Sequence, residues 1–144
     1  MVIAIASDHA GVELKTLLIQ HLHDLGMLVI DYGTHDEESV DYPDYAHTVA
    51  SKVNDSTRGI LLCGSGNGIC MAANKHPGIR AAVCWEDRLA ALARSHNDAN
   101  VLCIPARFVS QKTAREIVDA FLTTQFSGDR HQKRVEKIDI KVDI

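Results

Sequence analysis

Five short apolar runs, each followed by an amphipathic stretch, constrain this 144-residue chain more than any other feature. The runs cover residues 2–7, 27–30, 59–63, 79–84 and 99–104. After the first, Leu14, Leu17, Leu18, Leu22 and Leu25 recur at helical spacing and Gly26 supplies a stop. Pro43 suits the first turn of a helix carrying Tyr45, Ala46, Val49, Ala50 and Val53. A short helix from about Asn67 to Lys75 is broken by Pro77-Gly78, and another covers residues 86–95. Ser110 caps a last long helix with the core face Ala114, Ile117, Val118, Phe121 and Leu122. Apolar strands alternating with helices are the pattern of βαβ units, in which helices cover both faces of a parallel sheet. The pattern predicts one doubly wound, Rossmann-like domain over residues 1–144: a three-layer αβα stack with a five-stranded parallel sheet and a C-terminal helical tail. In that tail Arg130 and Arg134 share a helical face, and past Ile138 the pattern turns to alternation ending on Ile144.

Bulk properties exclude several classes. A net charge of −4 does not suit general nucleic-acid binding, which wants a basic surface. No apolar run approaches the length of a membrane-spanning helix. The first residues lack a basic leader and run straight into Ser7-Asp8-His9, so a strand is expected there and not a signal peptide. Cys63, Cys70, Cys84 and Cys103 show no CxxC pairing or zinc-ligand spacing, which fits free thiols in a reducing cytoplasm.

The third apolar run ends in Cys63-Gly64-Ser65-Gly66-Asn67-Gly68. Alternate glycines let a backbone turn tightly and aim several N–H groups at one point. A thiol beside such a nest and a helix start is in surroundings that lower its pKa. Familiar loops fail on single positions. A phosphatase loop needs arginine where Ile69 stands, a nucleophile elbow needs glycines where Cys63 and Asn67 stand, and a Walker loop needs Gly-Lys-Ser/Thr. The dinucleotide fingerprint also fails at Ile69, although Glu86 lies at the right remove, so a nucleotide-binding module stays open as an alternative. Cys63 itself reads either as a small core residue or as a working thiol.

In doubly wound sheets ligands bind beyond the carboxyl ends of the strands. Asp8-His9, the loop 32–42 and the Cys63 loop fall there, whereas Ser95-His96-Asn97-Asp98 precedes the fifth strand. That segment lies at the opposite edge or serves a site on a neighbouring subunit. Asp8 also reads as a plain helix cap, His96-Asn97 as a helix exit, and the Arg130/Arg134 face as solvated charge. Two arginines one turn apart also suit a phosphate, and Arg107 after the fifth strand can join them.

Taken together, Ser7-Asp8-His9-Ala10-Gly11, Asp31-Tyr32-Gly33-Thr34, Asp41-Tyr42-Pro43, the run from Cys63 to Ile69, Ala73-Asn74-Lys75, the run from His96 to Val101 and the run from Gly128 to Val135 resemble the B-type ribose-5-phosphate isomerase family, which includes allose- and galactose-6-phosphate isomerases. The resemblance implies a cytoplasmic, metal-free and cofactor-free aldose–ketose isomerisation of a phosphorylated sugar, with ribose 5-phosphate the expected substrate. It implies Cys63 as the base that moves a proton between C2 and C1; some members place a glutamate where this chain has Ile69. It further implies ring opening by His96, binding help from Asn97, and sugar contacts from Asp8 and His9. Arg107, Arg130 and Arg134 would hold the phosphate, Tyr42 would line the pocket, and Ser65 would orient thiol or substrate. Gly64, Gly66, Asn67 and Gly68 would supply the oxyanion-binding loop. The expected assembly is a homodimer with shared sites, or a dimer of dimers, with the tail from about residue 128 on or near the partner; no nucleic-acid or membrane partner is expected.

Overall fold

The structure is a computed structural model that describes residues 1–142; Ile144, the last residue of the alternating tail, lies outside the described residues. The chain runs β1 (Val2–Ser7), a 3-10 turn (His9–Gly11), α1 (Val12–Asp24), β2 (Leu28–Asp31), α2 (Tyr42–Ala50), β3 (Thr57–Cys63), α3 (Asn67–Ala73), β4 (Ala81–Val83), α4 (Asp87–Asn97), β5 (Val101–Pro105), α5 (Gln111–Thr123) and α6 (Arg130–Val135). The five strands pair in parallel in the order β2-β1-β3-β5-β4.

Strand periodicity divides the core in two, as successive residues point to opposite faces. Ile3, Ile5, Ile60 and Leu62 meet Leu14, Leu18 and Leu22 of α1, Ala90 and Ala93 of α4, and Ile117, Val118 and Phe121 of α5. On the other face Ala4, Ala6, Leu61 and Cys63 meet Ala46 and Val49 of α2 and Ile69, Cys70 and Ala73 of α3. These two clusters are the outer layers of the expected αβα stack. Gly26 takes φ 80° beyond α1, and the Ser110 hydroxyl accepts the Thr113 N–H at 3.1 Å, so both expected helix signals act as read.

Several boundaries differ. β4 is confined to Ala81–Val83 and pairs on one side only, as the sheet's edge, where the run 79–84 suggested twice that length. Helix α3 stops at Ala73, two residues short of the expected end. Helix α4 extends to Asn97, so His96 and Asn97 form its last turn and do not follow it. Among the described residues no helix is long and apolar enough to cross a membrane.

Candidate active site

From β1 the chain crosses to β2 on one side, and from β3 to the β5-β4 side on the other. The carboxyl ends of β1 and β3 therefore flank the topological switch point, where this architecture leaves a crevice. Cys63 is the last residue of β3 and 4 % exposed. Its carbonyl accepts the Ala106 N–H at 2.9 Å, and that of Gly64 accepts the Arg107 N–H at 3.1 Å, which fastens the loop to the end of β5. Gly66 takes φ 76° in the left-handed region, and a Cβ there would stand 3.1 Å from the Pro105 nitrogen. Glycine is thus required twice over at that corner. The Asn67 N–H at the start of α3 donates to the Ser65 hydroxyl at 3.3 Å.

The rest of the expected cluster gathers around this loop. A Cβ on residue 64 would lie 3.0 Å from Arg107 Nη1, so the guanidinium rests on Gly64. The Tyr42 ring, at the head of α2, rests likewise on Gly68. Asp8 is buried at the end of β1, receives the Ala10 N–H at 2.9 Å, and donates its own N–H to the Leu62 carbonyl. The Val40 N–H donates to His9 Nδ1 at 3.2 Å, which leaves the His9 proton on Nε2. Asp8, His9, Tyr42, Cys63, the glycine loop with Ser65 and Asn67, and Arg107 therefore converge on one end of the sheet.

Burial alone does not single out Cys63, because Cys70, Cys84 and Cys103 are buried too. What differs is position. Burial, reinforced by neighbouring Cys70, pushes the Cys84 thiol up to about 12, and burial likewise drives Cys103 well up. Those two are inert core thiols. Cys70 is held lower by a hydrogen bond from Cys103, but it also donates to the Ala81 carbonyl at 3.3 Å beneath α3.

His96, Asn97, Arg130 and Arg134 gather elsewhere. His96 stacks on His131 of α6 with ring centroids 4.1 Å apart and planes 14° from parallel. The Ser127 N–H donates to the Ser95 carbonyl at 3.0 Å, so the tail lies along its own α4 and brings exposed Arg130 and Arg134 to that end. Partial desolvation in the stack, with the charges of His96, Arg130 and Arg134, holds His131 below the usual 6.5. Cys63 pairs with Pro105 at one end of β5, whereas His96 and Asn97 precede Val101 at the other. At about 3.3 Å per strand residue, β5 alone keeps the two groups about 13 Å apart. A cavity of about 550 Å³ at the β4 edge is lined by Asn74, Asn97, Ile138 and Asp139 among others, and reaches the second group but not Cys63. Within one chain the expected residues fall into two separate groups, not one.

Two buried cations went unnoticed in the sequence. Lys15, 1 % exposed on α1, donates to Asp31 at 2.6 Å and to the Thr34 carbonyl at 2.7 Å, pinning the start of the loop that carries Val40 to His9. Arg94, 5 % exposed on α4, donates to Asp98 at 2.8 Å. Each sits in the apolar stripe of its helix, and that interruption is the signal that betrays it. Among the described residues no group of three or more His, Cys, Asp or Glu side chains could hold a metal ion.

The model of the Ribose/Galactose Isomerase family matches residues 3–138. The chain is 52 % identical over 139 residues to the probable ribose-5-phosphate isomerase B of Mycoplasma pneumoniae, covering 94 % of this chain and 91 % of that one. It is 50 % identical to the ribose-5-phosphate isomerase B of Escherichia coli, covering 94 % and 93 % of the two chains. The crystal structure of ribose-5-phosphate isomerase B from Mycoplasma genitalium with bound ribulose-5-phosphate superimposes with a TM-score of 0.92 at 48 % identity, covering 95 % of this chain and 93 % of that chain.

Proposed function

The chain belongs to the Ribose/Galactose Isomerase family, and we propose that it interconverts D-ribose 5-phosphate and D-ribulose 5-phosphate as a single isomerase domain over residues 1–144. One observation carries the mechanism: Cys63 stands at the switch point as the last residue of β3, at the head of a glycine loop that turns through left-handed Gly66 into the start of α3. Cys63, as thiolate, removes the proton from C2 of the open-chain aldose. The C–H electrons form the C1–C2 double bond, and negative charge moves onto O1. Donors from Gly64 to Gly68 stabilise that charge where it develops. Transfer of the hydroxyl proton from O2 to O1 and return of the thiol proton to C1 give the ketose. Base and charge stabilisation both come from the chain, so the reading is metal-independent and cofactor-free.

Asp8, His9 and Tyr42 are assigned to the sugar, Ser65 to orientation of the thiol or a substrate hydroxyl, and Arg107 to the phosphate at the same end. His96 is assigned to ring opening, Asn97 to binding, and Arg130 and Arg134 to the phosphate. These last four reach the Cys63 crevice only if a second copy presents them, so the working form is a homodimer with shared sites, alone or paired into a dimer of dimers. The tail from about residue 128 then lies at the partner. The four free thiols favour the reducing cytoplasm.

The deciding experiment is a coupled isomerase assay of wild type and Cys63→Ala on ribose, allose and galactose 6- or 5-phosphates. Turnover on ribose 5-phosphate that falls by about a thousandfold or more in kcat in the variant, with near-normal phosphate affinity, is the expected result. Equal or better turnover on a hexose phosphate overturns the substrate; unchanged function in Cys63→Ala favours a non-catalytic phosphosugar- or nucleotide-binding module.

A further inference from the structure

Immediately after His96 and Asn97, α4 ends on Asp98 with φ 48° and ψ 44°. A left-handed helix exit usually carries glycine, which needs no side chain to hold it there. Here the side chain is gripped. The Asp98 carboxylate accepts Arg94 Nη1 at 2.8 Å and Arg80 Nη2 at 3.3 Å, while its carbonyl accepts Arg80 Nε at 2.8 Å. Arg94 Nη1 also donates to the Ala99 carbonyl at 2.7 Å, and Nε to the Thr124 carbonyl at 3.2 Å. The Arg80 backbone N–H donates to the Asn100 side chain at 2.8 Å, and Asn100 donates in turn to the Gly78 carbonyl at 2.8 Å. The Asp139 carboxylate takes the Gly78 N–H at 3.1 Å, which ties the tail beyond α6 into the same frame.

We infer that Arg80 and Arg94, acting through Asp98, are positioning residues that fix the direction in which His96 and Asn97 leave α4; this rests on the isomerase reading of that half-site. Fork-shaped guanidinium groups suit the task, since each holds several acceptors at set angles where an ammonium holds a point. The carboxylate and carbonyl of one residue are both held, so the last turn cannot rotate without breaking bonds on two sides. None of the three side chains reaches Cys63. A ring-opening imidazole, by contrast, works only within hydrogen-bond reach of the ring oxygen, and an error of about 1 Å costs on the order of a hundredfold.

The test uses full-length Asp98→Asn, which keeps the shape and tolerates the left-handed conformation, and Arg80→Lys, which keeps the charge but loses the fork. Imidazole ¹⁵N spectra are recorded with His21, which pairs with Asp119 across α1 and α5, as the internal control. In both variants the His96 signals are expected to shift and broaden while His21 stays in place. On ribose 5-phosphate, kcat per folded molecule should fall between about tenfold and a hundredfold, with inhibition by inorganic phosphate unchanged within about twofold. Wild-type His96 signals and kcat in both variants overturn the inference. A phosphate inhibition constant rising in step with the loss of kcat also overturns it, because it puts the network in phosphate binding. If the wild type does not turn over ribose 5-phosphate, the isomerase reading fails, and the His96 spectra still decide the positioning role.

Discussion

The Tyr42 phenol lies directly over Gly68: a Cβ added at residue 68 would stand 2.5 Å from Tyr42 Cζ and 2.8 Å from its oxygen. Glycine at the first turn of α3 therefore lets the ring close over the Cys63 loop. Tyr42 is 40 % exposed, so the ring can swing outward when residue 68 grows. Alanine is also favoured over glycine within a helix by about 1 kcal/mol. Gly68→Ala should consequently leave the melting temperature nearly unchanged while kcat/KM falls at least about tenfold. A Gly68→Ala/Tyr42→Ala double variant should be no worse than Tyr42→Ala alone; additive losses would deny the contact its role.

Replacing Lys15 by methionine leaves Asp31 and the Thr34 carbonyl without their cation. Breaking a buried ion pair from one side costs about 3–5 kcal/mol, and since Asp31 is 29 % exposed the lower end applies. Urea denaturation should show a loss of about 3 kcal/mol. Hydrogen exchange in the loop 32–42 should rise before that of β3. A stability within about 0.5 kcal/mol of wild type, the usual range for surface changes, would contradict the pinning role.

His131 sets a pH dependence with a definite sign. An unfolded histidine titrates near 6.5, and the folded His131 titrates lower. Its contribution to stability is complete above pH 6.5 and is lost as pH falls through 6.5 toward the folded value. Amides of α6 should therefore exchange faster at pH 5.5 than at pH 7.5 after correction for intrinsic rates. His131→Gln should flatten that difference; an unchanged slope in the variant would remove His131 from the account.

Separation of the half-sites predicts complementation. Cys63→Ala and His96→Ala proteins are each expected to be nearly inactive. Unfolded together and refolded, they should regain about a quarter of wild-type activity, because half the dimers are mixed and each mixed dimer rebuilds one of two sites. No recovery, with mixed dimers verified by mass spectrometry, would place both groups in a single chain's site.

Strand–helix alternation made the layers legible because burial on both sheet faces leaves uninterrupted apolar runs such as Gly59 to Cys63. The Cys63 loop was legible because only glycine suits the turn at Gly66. Lys15 and Arg94 were not, since periodicity counts apolar residues and a fully buried cation reads as a break in the stripe. The reach of α4 through Asn97 was missed for a related reason. Its end is set by Asp98 in the left-handed conformation, gripped by Arg94 from the same helix and by Arg80 from 18 residues away, not by a glycine or proline stop. Shortening of β4 follows from its place at the sheet edge, where one neighbour supports it and not two.

Because Cys63 ends β3 beside Pro105 while His96 precedes the start of β5 at the sheet's other end, a solitary folded chain possesses every group of the proposed site and no complete copy of it. Activity then reports encounter between chains. Diluted below the dissociation constant of such a dimer, the protein would keep its helices yet fall silent, with specific activity following the dimer fraction. On the shared-site proposal the sheet is a spacer that would make output depend on abundance.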